Sequence, residues 1–256
     1  VMLHELRLSL IALQFLTRVP VPAWVGYRDE WLHQCARHFP LVGVFVGAVA
    51  ALVLLGASAL WPWPLAVLMS MAATLVLTGA FHEDGLADTF DALGGAVSRD
   101  KALAIMKDSR LGTYGTAALV IVLALKAASL FALGAQAAAA LLLAHSASRA
   151  LPVALIRWLP YAGDAGAAKA KPLSTRVSMG GVGVAVLWVL AVAAATVGAR
   201  GLGVTAVVVS LIAAALVALL MARWLHRRLG GFTGDTLGAT QQLGELATYL
   251  ALVALP

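Results

Sequence analysis

Residues 64–91 read Pro64-Leu-Ala-Val-Leu-Met-Ser-Met-Ala-Ala-Thr-Leu-Val-Leu-Thr-Gly-Ala-Phe-His82-Glu-Asp-Gly-Leu-Ala-Asp-Thr-Phe-Asp91. A long apolar run opens directly onto four carboxylates: Glu83, Asp84, Asp88 and Asp91. A helix needs about 20 apolar residues to cross the hydrocarbon of a bilayer, and this run is close to that length. If the acidic part is also helical, Asp84, Asp88 and Asp91 fall at i, i+4 and i+7, on one face. Three like charges on one stripe repel, and folding does not require them. A hard divalent cation such as Mg²⁺ converts that repulsion into a binding site, since it prefers carboxylate oxygens and shares them with substrate phosphates. An acidic site at the mouth of a membrane helix points to chemistry on a substrate at the membrane surface.

The rest of the chain supports a membrane reading. It is 62% hydrophobic and 12% charged, with a mean hydropathy of +0.93. Soluble domains carry about 25% charged residues, so this chain lacks the polar surface to cover a soluble globule. Only helices or closed barrels satisfy the backbone inside a bilayer, and long continuous apolar runs favour helices. The expected fold is all-α, a single polytopic membrane domain over 1–256. Seven spans are expected near 40–62, 64–82, 114–133, 136–157, 180–198, 202–222 and 238–256. An amphipathic N-terminal helix, with Leu3, Leu6, Leu10 and Leu13 as its apolar stripe, is expected to lie on the membrane. No cleavable signal peptide is read at the N-terminus. Cys35 is the only cysteine, which excludes an intramolecular disulfide and a cysteine-cluster metal site.

The connections alternate in character. Trp61-Pro62-Trp63-Pro64, Gly134-Ala135 and Ala199-Arg200-Gly201 are tight turns. The segments 1–39, 83–113, 158–179 and 223–237 are longer and basic, and hold most of the lysines and arginines, Lys169 and Lys171 among them. That asymmetry places the N-terminus and the long loops in the cytoplasm, with active-site loops at about 83–113 and 223–237. It also accounts for the net charge of +6 without nucleic acid.

Further charged groups suit a phosphorylated substrate. Lys107 and Arg110 lie in Lys107-Asp108-Ser109-Arg110-Leu111-Gly112-Thr113-Tyr114-Gly115; an arginine holds two phosphate oxygens, a lysine acts as a point charge. Arg18, at the end of the N-terminal helix, can reach a phosphate or a lipid head group. Gly230-Gly231-Phe232-Thr233-Gly234-Asp235-Thr236-Leu237-Gly238-Ala239 forms a glycine-rich turn that can present Asp235 to a metal or a hydroxyl. Inside the fourth span, His145 and Arg149 share a face, and a buried arginine needs an anionic partner, either substrate or an internal carboxylate. Glu245 is expected to face a polar interior, and Lys126 to be structural, its stem snorkelling to the outer interface. His82 reads as a hydrogen-bonding residue at a helix end rather than a metal ligand.

Phe81–Asp91, Ile105–Gly115 and Gly230–Ala239, with Thr17-Arg18-Val19-Pro20-Val21-Pro22, resemble the motifs of the cobalamin synthase family, the adenosylcobinamide-GDP ribazoletransferases, in order along essentially the whole chain. The segment 158–179 is the least family-like. The resemblance implies a bacterial inner-membrane transferase, its active site facing the cytoplasm, acting last in assembly of the cobalamin (vitamin B12) nucleotide loop. It would join the corrinoid adenosylcobinamide-GDP to α-ribazole or α-ribazole 5′-phosphate, releasing GMP, with Mg²⁺ as cofactor. Asp84, Asp88 and Asp91 would be the metal and catalytic carboxylates, Glu83 a weaker candidate about 100° off their stripe. The chemistry of the residues, not the resemblance, adds Asp235 to the metal shell and gives Arg18, Lys107, Arg110 and Arg149 to substrate binding. Either Asp88 or Asp91 would serve as general base. Homo-oligomers or complexes with other enzymes of the pathway are compatible with this picture.

Three rivals fit less well. CDP-alcohol phosphotransferases also place aspartates on a membrane helix, but their Asp-Gly-x-x-Ala-Arg pattern fails where Asp88 follows Ala87. A transporter built on His145, Arg149, Lys126 and Glu245 would predict inverted repeats, which are not found. A purely structural membrane partner leaves the aspartate stripe unexplained.

Overall fold

A computed structural model describes residues 2–108, 110–163, 174–199 and 201–255. Ser109, Lys169, Lys171 and Arg200 lie outside the described residues. The described chain is helical throughout: α1 Met2–Leu16, α2 Asp29–Cys35, α3 Phe39–Ser58, α4 Trp63–Thr78, α5 Phe81–Leu93, α6 Arg99–Ile105, α7 Thr113–Leu133, α8 Ala137–Trp158, α9 Met179–Gly198, α10 Val204–Leu229 and α11 Gly234–Ala254. Its only extended pairing among the described residues is a single bridge between Tyr161 and Phe232.

A helix forms at each of the seven expected spans, but the count of membrane-crossing segments is lower. Asp29–Ser58, Thr113–Trp158, Met179–Gly198 and Val204–Leu229 are long and apolar enough to cross a bilayer, and the bent pair Trp63–Thr78 plus Phe81–Leu93 makes a fifth if taken as one span. The reasons are local. Thr113–Trp158 holds two helices joined at Gly134, whose φ of +52° turns the chain. Helix α4 has only 16 residues. Helix α11 buries Gln241, Gln242 and Glu245, which lowers its hydropathy because it is surrounded by protein instead of lipid.

Tight helix contacts come from small residues. Beta carbons added at Gly43 and Gly47 of α3 would run into the backbone of α8 at His145 and Leu141. These glycines let α3 lie directly on α8. Outward-facing residues such as Leu52, Leu187, Leu190, Leu216 and Leu219 are exposed, the apolar surface that lipid covers. Helix α1 differs from the expected surface float. Leu3 and Leu6 are exposed, but Leu8, Ile11, Ala12 and Leu16 on its other face are buried in a cluster with Phe39, Val42 and Val46 of α3.

The long connections gather at one end of the bundle. Arg99 donates to the carbonyls of Leu229 (2.8 Å) and Ala162 (3.0 Å). Arg228 donates to those of Leu93 (3.0 Å) and Gly95 (2.8 Å). Both arginines therefore satisfy carbonyls left open near helix C-termini, where cations are favoured. The expected loops are partly helix: 83–113 contains most of α5 and all of α6, and 223–229 continues α10.

Candidate active site

The site begins at a break. Helix α4 ends at Gly79 (φ +68°), Ala80 follows at φ +55°, and α5 leaves at 87° to α4. Two successive left-handed residues turn the chain; for Ala80 that conformation costs about 1–2 kcal/mol. The bend is tied to the end of α1: Arg18 N–H donates to Leu77 O at 2.8 Å, and a beta carbon on Gly79 would strike the Arg18 guanidinium. Thirteen residues give α5 a length of about 20 Å, too short to cross a bilayer.

Helix α5 is amphipathic and sits on the start of α11. Gly85 makes this possible: a beta carbon there would lie 2.7 Å from the Asp235 carbonyl oxygen and 3.1 Å from its Cα. Opposite it, a beta carbon on Gly238 would lie 3.2 Å from His82 O. The glycine-rich turn thus brings Asp235 beside the aspartate stripe, backed by a capping box between Thr233 and Thr236 that starts α11.

The four aspartates hold different positions. Asp84 is exposed, and Asp88, Asp91 and Asp235 are half-buried. Burial and then the charges of Asp235, Asp84 and Asp91 push the Asp88 carboxyl up from its ordinary 3.8 to about 7. Both oxygens of Asp91 accept backbone N–H groups at the start of α7, from Gly112 at 2.7 Å and Gly115 at 2.8 Å. Beta carbons at Gly112 and Gly115 would strike that carboxylate. Asp91 is therefore an anchor for the α6–α7 connection, while Asp84 is exposed and Asp88 half-buried. Among the described residues, no three His, Cys, Asp or Glu side chains converge closely enough to hold a metal ion by themselves.

The structure also distributes the cations. Arg18 and Asp84 line one open cavity of about 440 Å³, with Gln14, Phe15, Tyr27 and Phe81. Arg110 and Lys107 are exposed, and Arg110 grips Asp108 with Nε 3.0 Å from Oδ1. That contact holds the Asp108 carboxyl down at about 2. Arg149 is 2% exposed and does not reach the open cavity. It donates from Nη1 to His145 O at 3.0 Å and lies 3.1 Å from His145 Nδ1, as expected for two residues on one face.

Behind α5 lies a buried polar network. Lys126 Nζ is 2.6 Å from Glu245 Oε1 and donates to Gln242 Oε1 at 3.1 Å. Gln241 donates to Glu245 Oε2 (2.7 Å) and to Ser148 Oγ (2.9 Å). Gln242 donates to Glu83 Oε1 (2.9 Å). Glu245 thus faces a polar interior, as read from the sequence, but Lys126 does not snorkel. It is 5% exposed, because a carboxylate of α11 lies within reach and ion pairing outweighs an excursion to the interface. Glu83, off the aspartate stripe, points inward to this network. Gln241 and Gln242 went unnoticed in the sequence; the signal was Gln241, Glu245 and Tyr249 at i, i+4 and i+8, one polar line along a face of α11. His82 is buried in the first turn of α5, edge-on to Phe81.

Comparison with known proteins agrees with the order of these motifs. The family model described as Cobalamin-5-phosphate synthase matches residues 8–253. The chain belongs to that family. An adenosylcobinamide-GDP ribazoletransferase of Leptothrix cholodnii is 59% identical, the match covering 99% of this chain and 97% of the relative. Proteins of the same name from a Polaromonas species and from Shewanella amazonensis are 45% and 43% identical, covering 95% and 98% of this chain and 95% and 96% of theirs. No solved structure matches. Membership in the family makes the chain a transferase of cobalamin assembly embedded in a membrane, and it sets aside the CDP-alcohol, transporter and structural alternatives.

Proposed function

We propose that the chain joins adenosylcobinamide-GDP to α-ribazole or α-ribazole 5′-phosphate and releases GMP. The observation that carries this reading is the match of the whole chain, 8–253, to the synthase family, together with the convergence of α5 and α11 on one acidic site.

In the proposed step a ribose hydroxyl oxygen of the acceptor attacks the phosphorus on the cobinamide side of the diphosphate. A new P–O bond forms, the bridging P–O bond breaks, and its electron pair leaves with GMP. Asp88, half-buried on the aspartate stripe, takes the hydroxyl proton as general base. Asp91 positions the α6–α7 connection, and Lys107 and Arg110 face the GMP portion, Arg110 exchanging Asp108 for a phosphate. Arg18, across the open cavity from Asp84, holds an oxygen of the diphosphate. Phosphoryl transfer depends chiefly on such positioning and charge neutralisation.

A divalent cation fits the donor set. Asp84, Asp88 and Asp235 are hard oxygen ligands, and burial together with the neighbouring aspartates disfavours the charged form of Asp88. Mg²⁺ is commonly held by one or two carboxylates with water and substrate phosphates, so a full protein cage is not needed. When bound, Mg²⁺ would neutralise charge on the diphosphate and the departing phosphate. We place this site on the cytoplasmic face of the bacterial inner membrane, on the basic side of the chain.

The test is GMP release by purified protein in liposomes, given both substrates with Mg²⁺ or with EDTA, beside Asp84→Asn. Mg²⁺-dependent GMP with a cobamide product, lost in EDTA and in the variant, supports the reading. Absence of GMP from folded protein rejects it.

A further inference from the structure

Arg149 is a buried cation that feels the carboxylates of Glu245 and Glu83 but keeps one nitrogen unsatisfied. It is 2% exposed, and its Nε has no hydrogen-bond partner among the described residues. Its Nη1 hydrogen-bonds within its own helix, to His145, and no carboxylate among the described residues lies within ion-pairing distance of it. The carboxylate of Glu245 is already held by Lys126, Gln241 and Tyr249. An arginine left this way is costly to bury, and the usual remedy is an anion in its fork.

The guanidinium lines a small void of about 30 Å³ that also touches His82, Phe15, Phe81 and the first turn of α11 at Gly234 and Leu237. Phe15 and Phe81 line both this void and the open cavity that holds Arg18 and Asp84. Their rings meet edge to face, 5.7 Å apart at 74°. The aromatic pair is thus the partition between an open vestibule beside Asp84 and a blind end lined by Arg149. The start of a 21-residue helix turns its positive dipole end to that blind end, with the Asp235 carboxylate of the same turn opposing it.

We propose that Arg149 and the first turn of α11 seat a terminal phosphate monoester, the 5′-phosphate of the acceptor, reached when Phe15 and Phe81 swing aside. This deepens the transferase reading and rests on it. The shape decides between the substrates. The donor's phosphates are internal, flanked by a corrinoid on one side and guanosine on the other, so they must lie across an open groove. The acceptor's phosphate ends a small molecule and can enter a blind pocket. As it stands the void holds only a water or two, so the phosphate must displace the aromatic rings, whose apolar faces then border the ribose and base. A guanidinium fork on phosphate is the strongest pairing arginine makes.

The experiment compares kcat/KM for α-ribazole 5′-phosphate and α-ribazole in wild type, Arg149→Gln and Arg149→Lys in liposomes. Thermal unfolding with inorganic phosphate is followed alongside. Losing one charge-assisted pairing corresponds to about 30-fold. The preference for the phosphorylated acceptor is expected to fall by about that factor in Arg149→Gln, carried by KM, with an intermediate value in Arg149→Lys. Inorganic phosphate should raise the melting temperature of wild type and not of Arg149→Gln. If Arg149→Gln does not fold, Arg149→Lys carries the comparison. A preference unchanged in the variants overturns the proposal, whether both acceptors lose activity together or neither does. Wild type that releases no GMP with either acceptor rejects the transferase reading instead, and an equal phosphate response in wild type and variant then overturns the anion seat by itself.

Discussion

Gly85→Ala tests whether the seating of α5 on α11 sets the catalytic geometry. The added beta carbon would lie 2.7 Å from the Asp235 carbonyl oxygen and 3.1 Å from its Cα, where ordinary contact begins at 3.4 Å. Both neighbours are backbone and cannot rotate away, so the helices must part by about 0.7 Å. That displacement separates Asp84 and Asp88 from Asp235. Overpacking costs about 1–3 kcal/mol, and alanine in place of a mid-helix glycine returns about 1 kcal/mol. The net destabilisation is then about 0–2 kcal/mol, and the protein still folds. Misplacement approaching 1 Å costs up to about 100-fold in rate, so kcat is expected to fall about 10–100-fold. The assay is steady-state GMP release in liposomes, with thermal unfolding on the same preparations. Gly183→Ala is the control, since nothing lies within 4 Å of a beta carbon there. If Gly85→Ala keeps the turnover of Gly183→Ala, the apposition of α5 and α11 is not what builds the site.

Asp91→Asn removes a charged acceptor from the Gly112 and Gly115 N–H groups and should cost about 2–4 kcal/mol in unfolding. Asp84→Asn, at an exposed position, should abolish turnover with little change in stability; the reverse pattern would undo the division of roles. The Asp88 carboxyl is raised from 3.8 to about 7 in the folded state, so between those values the folded protein binds the extra proton. Metal-free protein should therefore lose stability as pH rises from about 4 to 7 and level off above. Asp88→Asn should flatten that slope in thermal scans of metal-free protein; a slope equal in wild type and variant would assign the titration elsewhere. For Lys126 and Glu245, 2.6 Å apart and buried, Lys126→Met and Glu245→Gln should each cost about 3–5 kcal/mol. The double variant should lose much less than their sum in denaturant unfolding, and strict additivity would show that the pair is not coupled.

Composition and apolar runs determined that this is an all-helical membrane protein, because a bilayer leaves the backbone no other solution. Period alone put Asp84, Asp88 and Asp91 on one face and His145 beside Arg149, since those relations lie within single helices. What each charge does was decided between helices. Sequence did not show that Asp91 is consumed by the start of α7, that Lys126 turns inward to Glu245, or that Gly85 brings Asp235 to the stripe. Nor did it show that Arg18 shares a cavity with Asp84 while Arg149 sits behind Phe15 and Phe81. Each of these depends on which residues from distant parts of the chain come within a few ångströms, and a carboxylate or guanidinium takes its role from the partner it meets there. The span count shows the same limit: hydropathy reads a residue's own solubility, but α11 is enclosed by other helices, and there a polar residue is stable because its partners are protein.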